Sequence, residues 1–462
     1  MPIIFLLISA AAAVGLGFLA ATSSPQFIMG AAASLLVFLF AFFSPKLSLA
    51  LLVVSMLFSP EIGLGALNSQ RSVVVRYDDI LLVVIFFSWL ARSAIRKDTA
   101  FVTNTPVQKP IILYTSLCVL STMLGVLRGD IRFEVSVFYL LKYVEYFLLY
   151  FMTVNVLESK EEIARYLRYA FFVLLAVTVY AYFYYFSSGP GARASAPFEA
   201  PLGKPEESEP ASLGGYYLLA MGVLLALFAE GGGRQFTYSL GTLAFIFPAF
   251  LLTFSRASYI GFAFMSVALI VRTNKRRLAL LGMVIVGLGA LFVTRGISEK
   301  VRERVQMTYS GQYATHDVRF LGVEFRLEES AYIRYASIRE AFTKWLPQNP
   351  VLGRGVTGVG LGDTQYTLLI GELGLVGFFS FFWMLYSIYS AARDVYAEYK
   401  EPWVKAVALG LIIGLIGLLG QAIGVNTFII VRIMEPFWFL TAVIMKLYVL
   451  ERDRKETTPE PS

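Results

Sequence analysis

The stretch DTQYTLLIGELGLVGFFSFFWMLYSIYSA, residues 363–391, decides the fold. From Tyr366 onward it is apolar for 26 residues apart from one carboxylate, Glu372. A helix rises about 1.5 Å per residue, and crossing the hydrocarbon of a bilayer takes roughly 20 apolar residues. The stretch therefore predicts a transmembrane helix, which satisfies every backbone N–H and C=O within itself. Two acids need explaining: Asp363 at its mouth, and Glu372 roughly 13 Å deeper at 1.5 Å per residue. Gly374 and Gly377 follow, small enough to let another segment approach closely.

Working outward, thirteen further apolar runs lie near 3–20, 27–43, 47–59, 79–91, 110–127, 136–157, 167–187, 212–229, 238–255, 257–271, 278–293, 403–422 and 428–449. Three are short, so 12–14 spans are expected. The composition agrees: 462 residues, 57% hydrophobic and only 15% charged, where a soluble chain carries about a quarter charged residues. The expected fold is an all-α polytopic transmembrane bundle. Residues 1–293 form its larger part, with about eleven spans. Residues 294–365 form a long external loop with a small helical subdomain. Residues 366–449 add C-terminal spans, and 450–462 a disordered tail. The first run lacks a basic leader and is followed by more spans, so it reads as a retained helix rather than a signal peptide.

The net charge of +7 is explained by sidedness, not by nucleic acid. With the N-terminus inside, nineteen Lys and Arg fall in inner loops and the tail, against seven in short outer loops. This is the positive-inside pattern, and it places both termini in the cytoplasm. One cysteine, Cys118, excludes a disulfide within the chain, and one histidine, His316, excludes multi-histidine metal chemistry. The outer loops hold no D-x-D pattern, so neither a metal nor a cofactor is expected.

Two external segments stand out. Residues 187–210, rich in Pro, Gly, Ser and Glu, read as a mobile loop over an opening. In the loop 294–365, Ala331, Tyr335, Ile338, Ala341, Phe342 and Trp345 recur at helical spacing, with Ser330 as the expected N-cap. Arg334 lies on that apolar stripe, where the helix packs. Arg256 sits between two apolar runs at their outer end. A charge there needs a wet site or a partner. Arginine suits phosphate because its planar fork bonds two oxygens at once. The remaining charges read as structural. Lys142 pairs with Glu145 and Arg432 with Glu435, three residues apart in each case. Asp78 and Asp79 cap a helix.

The segments FSRASYIGF (254–262), YIRYASIREAF (332–342), PVLGRGVTGVG (350–360) and DTQYTLLIGELGLVG (363–377) follow in this order. The order resembles the O-antigen ligase and O-antigen polymerase superfamily over roughly residues 240–390. The ligase pattern opens its last motif with histidine and carries G-x-x-G after nine residues. Here Asp363 and Thr364 open it, and Gly374 and Gly377 hold the glycine places. Aspartate at the first place resembles the repeat-unit polymerases. The resemblance implies a glycosyltransferase in the bacterial plasma membrane with its active site on the external face. Its donor would be a polyprenyl-pyrophosphate-linked glycan, its acceptor a second glycan, and its partner a regulator of glycan chain length. Arg256 and Arg334 would hold the diphosphate, and Asp363 would take the proton of the attacking hydroxyl. Arg339, Arg354, Tyr259 and Tyr366 are further candidates for substrate binding. Asp363 as a simple helix N-cap is the competing reading, and a ligase or a flippase of lipid-linked sugars are the competing functions.

Overall fold

A computed structural model of the protein describes residues 25–68, 71–95, 103–189, 192–199, 209–273, 276–277, 282, 314–320, 323–360, 362 and 364–457. Helix dominates. In chain order the helices are α1 (Pro25–Phe43), α2 (Pro45–Phe58), α3 (Tyr77–Ile95), α4 (Gln108–Leu127), α5 (Phe133–Val156), α6 (Lys160–Ser187), α7 (Pro210–Glu230), α8 (Arg234–Leu251) and α9 (Arg256–Arg272). A loop helix α10 (Glu329–Glu340) precedes α11 (Gln365–Glu398), α12 (Pro402–Gln421) and α13 (Val431–Thr457). Twelve of the fourteen apolar runs coincide with these helices; the run near 3–20, and all but residue 282 of that near 278–293, lie outside the described residues. The chain is the all-α polytopic bundle its composition demands. Among the described residues, seven helices have both the length and the apolarity to cross a membrane: α4 to α7 and α11 to α13.

The bundle is built around α7, which packs on α12, α8, α9 and α13. Lipid offers helices no hydrophobic reason to associate, so close backbone approach must hold them. Glycines supply it. A Cβ on Gly222 of α7 would lie 2.8 Å from the Gly410 carbonyl of α12, and one on Gly261 of α9 would lie 2.6 Å from that of Gly417.

Contacts between loops sort the connections into two ends. At one end Arg432 meets Glu61, Pro197 and Phe198, Ala194 meets Leu252, and Arg354 meets Asp130. At the other, Lys46 meets Glu158 and Glu162, Lys160 meets Glu401, and Lys455 meets Glu398. These contacts group loops that successive up-down spans would place at a common end.

Four details differ from expectation. Two antiparallel hairpins occupy the first end: β1 (Glu61–Asn68) with β2 (Arg71–Arg76), and β3 (Ala314–Phe320) with β4 (Val323–Glu328). The loop 294–365 is thus not purely helical. Helix α10 begins at Glu329 after Glu328, not after Ser330, and runs into a π-helical turn, Ala341–Trp345. That wider turn changes the stripe: Ser337, Ala341 and Trp345 are buried, whereas Ile338 and Phe342 are exposed. The part of the 187–210 loop at 192–199 is tied down rather than loose, since Ala194 to Ala196 are buried and Ala194 N donates to the Leu252 carbonyl at 2.8 Å. Finally, α13 continues to Thr457, held by Lys455–Glu398 at 2.7 Å and Arg452–Glu456 at 3.1 Å, so residues 450–457 are helical where a disordered tail was expected.

Candidate functional site

The opening stretch is a broken helix. At Gly374 the backbone of α11 leaves helical geometry with φ +64°. Residues 350–358 enter the gap. Leu375 N donates to the Pro350 carbonyl at 2.9 Å, Arg354 N to Gly371 at 2.9 Å, and Gly355 N to Glu372 at 2.9 Å. Backbone groups freed by the break are thereby satisfied inside protein, the only way irregular backbone persists at membrane depth. Room is scarce: a Cβ on Gly374 would lie 2.5 Å from the Val351 carbonyl, and one on Gly125 of α4 would lie 2.3 Å from that of Arg354. Glu372, buried, ties the junction together. Its carboxylate accepts from Thr357 N at 2.8 Å and from the Tyr143 hydroxyl at 3.3 Å, and its carbonyl accepts from Ser121 Oγ at 2.8 Å. Glu372 therefore joins helices, as the sequence reading held.

A second group of contacts surrounds Gly424, in the loop between α12 and α13. Its carbonyl accepts from Arg334 Nε at 3.0 Å. A Cβ on Gly424 would lie 3.1 Å from that of Ala257, the neighbour of Arg256. Arg256 pairs with Glu328, the residue before α10. Two residues along the loop, Asn426 Nδ2 donates to the Gly362 carbonyl at 2.8 Å, and Gly362 lies against Ser337 of α10. The segments carrying Arg256, Arg334 and Gly362 thus converge on one loop. Asp363 itself lies outside the described residues. The N-cap of α11 is Thr364, one residue later.

The remaining candidates are placed elsewhere. Arg339 is exposed on the far face of α10. Arg354 Nη2 reaches Asp130 at 3.4 Å, beside α4. The Tyr366 hydroxyl donates to the Leu419 carbonyl at 2.6 Å, and that of Tyr259 to the Leu251 carbonyl. Both tyrosines bind backbone within the bundle.

Sequence reasoning passed over the third feature. A cavity of about 360 Å³ opens at the same end, lined by Glu61, Arg76, Lys142, Glu199, Glu209 and Arg432, with Phe138, Tyr139, Tyr143 and Tyr146 on its α5 wall. Spacings of three and four residues put Tyr139, Lys142, Tyr143 and Tyr146 on one helix face. Arg432 does not pair with Glu435 as expected. It reaches Glu61 at 2.5 Å and the carbonyls of Pro197 and Phe198 at 3.0 and 2.9 Å. Glu435 instead faces Arg76 at 3.8 Å, and Arg76 pairs with Asp78 at 2.6 Å. Lys142 pairs with Glu145 at 3.5 Å, as expected, and also with Asp79. Asp79 does serve its helix: it accepts from Arg76 N at 2.7 Å, one half of a capping box. Glu199 accepts from Ser195 Oγ at 2.9 Å, from Ala196 N at 3.1 Å and from Ser212 Oγ. Burial pushes its carboxyl above the ordinary value of 4.5, against the opposing pull of Arg432 and these hydrogen bonds. The sequence did carry a signal. RYDDILL, YLLKYVEYF and VRIMEP each bring acid and base into a span near the same end, and buried charges at one level seek each other.

No protein-family model and no curated protein matches the chain.

Proposed function

We propose that this protein is a membrane glycosyltransferase that polymerises polyprenyl-pyrophosphate-linked oligosaccharide repeat units at the external face of the bacterial plasma membrane, without a metal. The observation that carries the proposal is the convergence around Gly424. Arg256 and Arg334 come from segments far apart in sequence, yet Ala257 and Arg334 both abut this one residue. The segment leading to Asp363 reaches the same loop through Gly362 and Asn426. These are the segments on which the resemblance to O-antigen polymerases rests.

The chemistry follows from those groups. The donor's diphosphate displaces Glu328 from Arg256 and engages Arg334, so the charge that builds on the leaving group meets fixed cations. The acceptor hydroxyl attacks the anomeric carbon, the bond from that carbon to the phosphate oxygen breaks, and polyprenyl pyrophosphate departs with the electron pair. Asp363 takes the hydroxyl proton. An aspartate with an ordinary pKa of about 3.9 is a weak base, so proton transfer comes late in the displacement. A single displacement inverts the anomeric centre.

Purified protein given lipid-linked repeat units should make a ladder of longer glycans, in the presence of EDTA as in its absence. Arg334→Ala and Asp363→Asn should each slow elongation by about a hundredfold or more. Full elongation by either variant would defeat the mechanism. The buried ion network of α3, α5 and α13 favours a second reading, a transporter of lipid-linked sugars, because charged groups inside spans mark substrate pathways. The same reconstituted vesicles separate the two: a transporter moves the lipid-linked sugar across the bilayer and forms no bond. A ligase would instead pass the glycan to a lipid or protein acceptor.

A further inference from the structure

The cavity beside α5 is separate in composition from the Gly424 site, yet one loop joins them. Gly424 and Asn426 serve the first, while Ile429 to Arg432 line the second. Its volume falls in the range of small-ligand sites, about 300–1,000 Å³. What it would take is set by its charge. Each cation on its wall is already neutralised: Arg432 by Glu61, Arg76 by Asp78, Lys142 by Asp79 and Glu145. Glu199 and Glu209 add acid to the lining. A diphosphate gains nothing from such a site. The carboxylates of Glu61, Glu199 and Glu209 stand on the lining as hydrogen-bond acceptors. Four aromatic rings on the α5 wall add apolar faces beside the charged groups. A ligand that donates to carboxylate, lays C–H faces on rings and brings no charge to cations already paired is an uncharged sugar.

We infer that this cavity is a saccharide subsite that holds the uncharged terminal sugar of the acceptor glycan. Its role as acceptor site rests on the transferase reading above; its affinity for sugar does not. The loop from Gly424 to Ile430, with the start of α13, then forms a wall common to donor and acceptor, and it brings the acceptor hydroxyl toward the arginines that hold the diphosphate.

The test is direct binding to the purified full-length protein, measured by titration calorimetry with two probes. One is the free reducing oligosaccharide released by mild acid from the source cell's polyprenyl-linked repeat units, which carries neither lipid nor phosphate. The other is inorganic pyrophosphate. Tyr139→Ala should weaken oligosaccharide binding roughly tenfold and leave pyrophosphate binding unchanged, while Tyr139→Phe should restore the oligosaccharide. Arg334→Ala should do the reverse, weakening pyrophosphate alone. The inference is overturned if the wild-type protein does not bind the oligosaccharide, if Tyr139→Ala binds it as well as wild type, if Tyr139→Phe binds as poorly as Tyr139→Ala, or if pyrophosphate competes with it. If the oligosaccharide binds as described but no ladder forms in the elongation assay, the saccharide site stands and the transferase reading fails.

Discussion

The two ends of the bundle use the same residue types in opposite ways. At the end bearing Lys46, Lys160 and Lys455, each ion pair keeps at least one partner open to water: the Lys46 and Glu158 side chains are 43% and 68% exposed, those of Lys160 and Glu401 39% and 41%. At the other end, the Arg76 and Asp78 side chains are 3% and 1% exposed, and Arg432 is 4% exposed beside Glu61. Exposed pairs contribute about 0–1 kcal/mol because solvent screens them. Buried charges cost several kcal/mol to desolvate, and such an arrangement survives only when each member is compensated. The first end is held by packing and merely decorated with charge. The second is organised by charge, and it is where both candidate sites lie.

That contrast can be broken by substitution. Arg432→Ala strands Glu61 and frees two loop carbonyls, so unfolding of the purified protein should come earlier by about 3–5 kcal/mol. A loss under ~1 kcal/mol would show that this end is no more charge-dependent than the other. Gly374→Val places a side chain at a left-handed φ and against the Val351 carbonyl, and it should cost about 2–4 kcal/mol in the same measurement, with the 350–358 segment becoming open to protease. Glu199→Gln probes burial by pH. The folded carboxyl titrates above its ordinary 4.5, so the native state is favoured while Glu199 is protonated and loses that advantage as pH rises through the folded pKa. As pH rises above the ordinary 4.5, the wild-type unfolding midpoint should therefore fall more than that of the variant. Parallel curves would place the titration elsewhere. Smallest of all, Lys46→Ala should cost under about 1 kcal/mol, and added salt should remove the difference.

The spans were legible because run length and hydropathy are local properties; α11 begins within one residue of the expected span, though it runs seven residues further and breaks at Gly374. The convergence of Arg256, Arg334 and the segment before α11 was legible only through the resemblance, since contacts around Gly424 have no signature in spacing. The hairpins were not legible. ATHDVRF and RSVVVR are short, mixed in polarity and set in segments that read as connectors. Nor was the charged cavity, for a plain reason: Arg432 finds Glu61 across 371 residues of chain, whereas pattern reading offered it Glu435 three residues away. The π-helical turn at Ala341–Trp345 hid the true packing face of α10, because a 3.6-residue period cannot register a wider turn.

The gap in α11 also constrains how the chain is made. Alone in hydrocarbon, this helix would bare peptide groups near Gly371 and Glu372 that residues 354 and 355 cover in the finished molecule. The loop that supplies the cover is synthesised first and emerges before the helix does. Settling of α11 in the bundle is therefore coupled to the seating of residues 350–358, a segment made before it, in the break at Gly374.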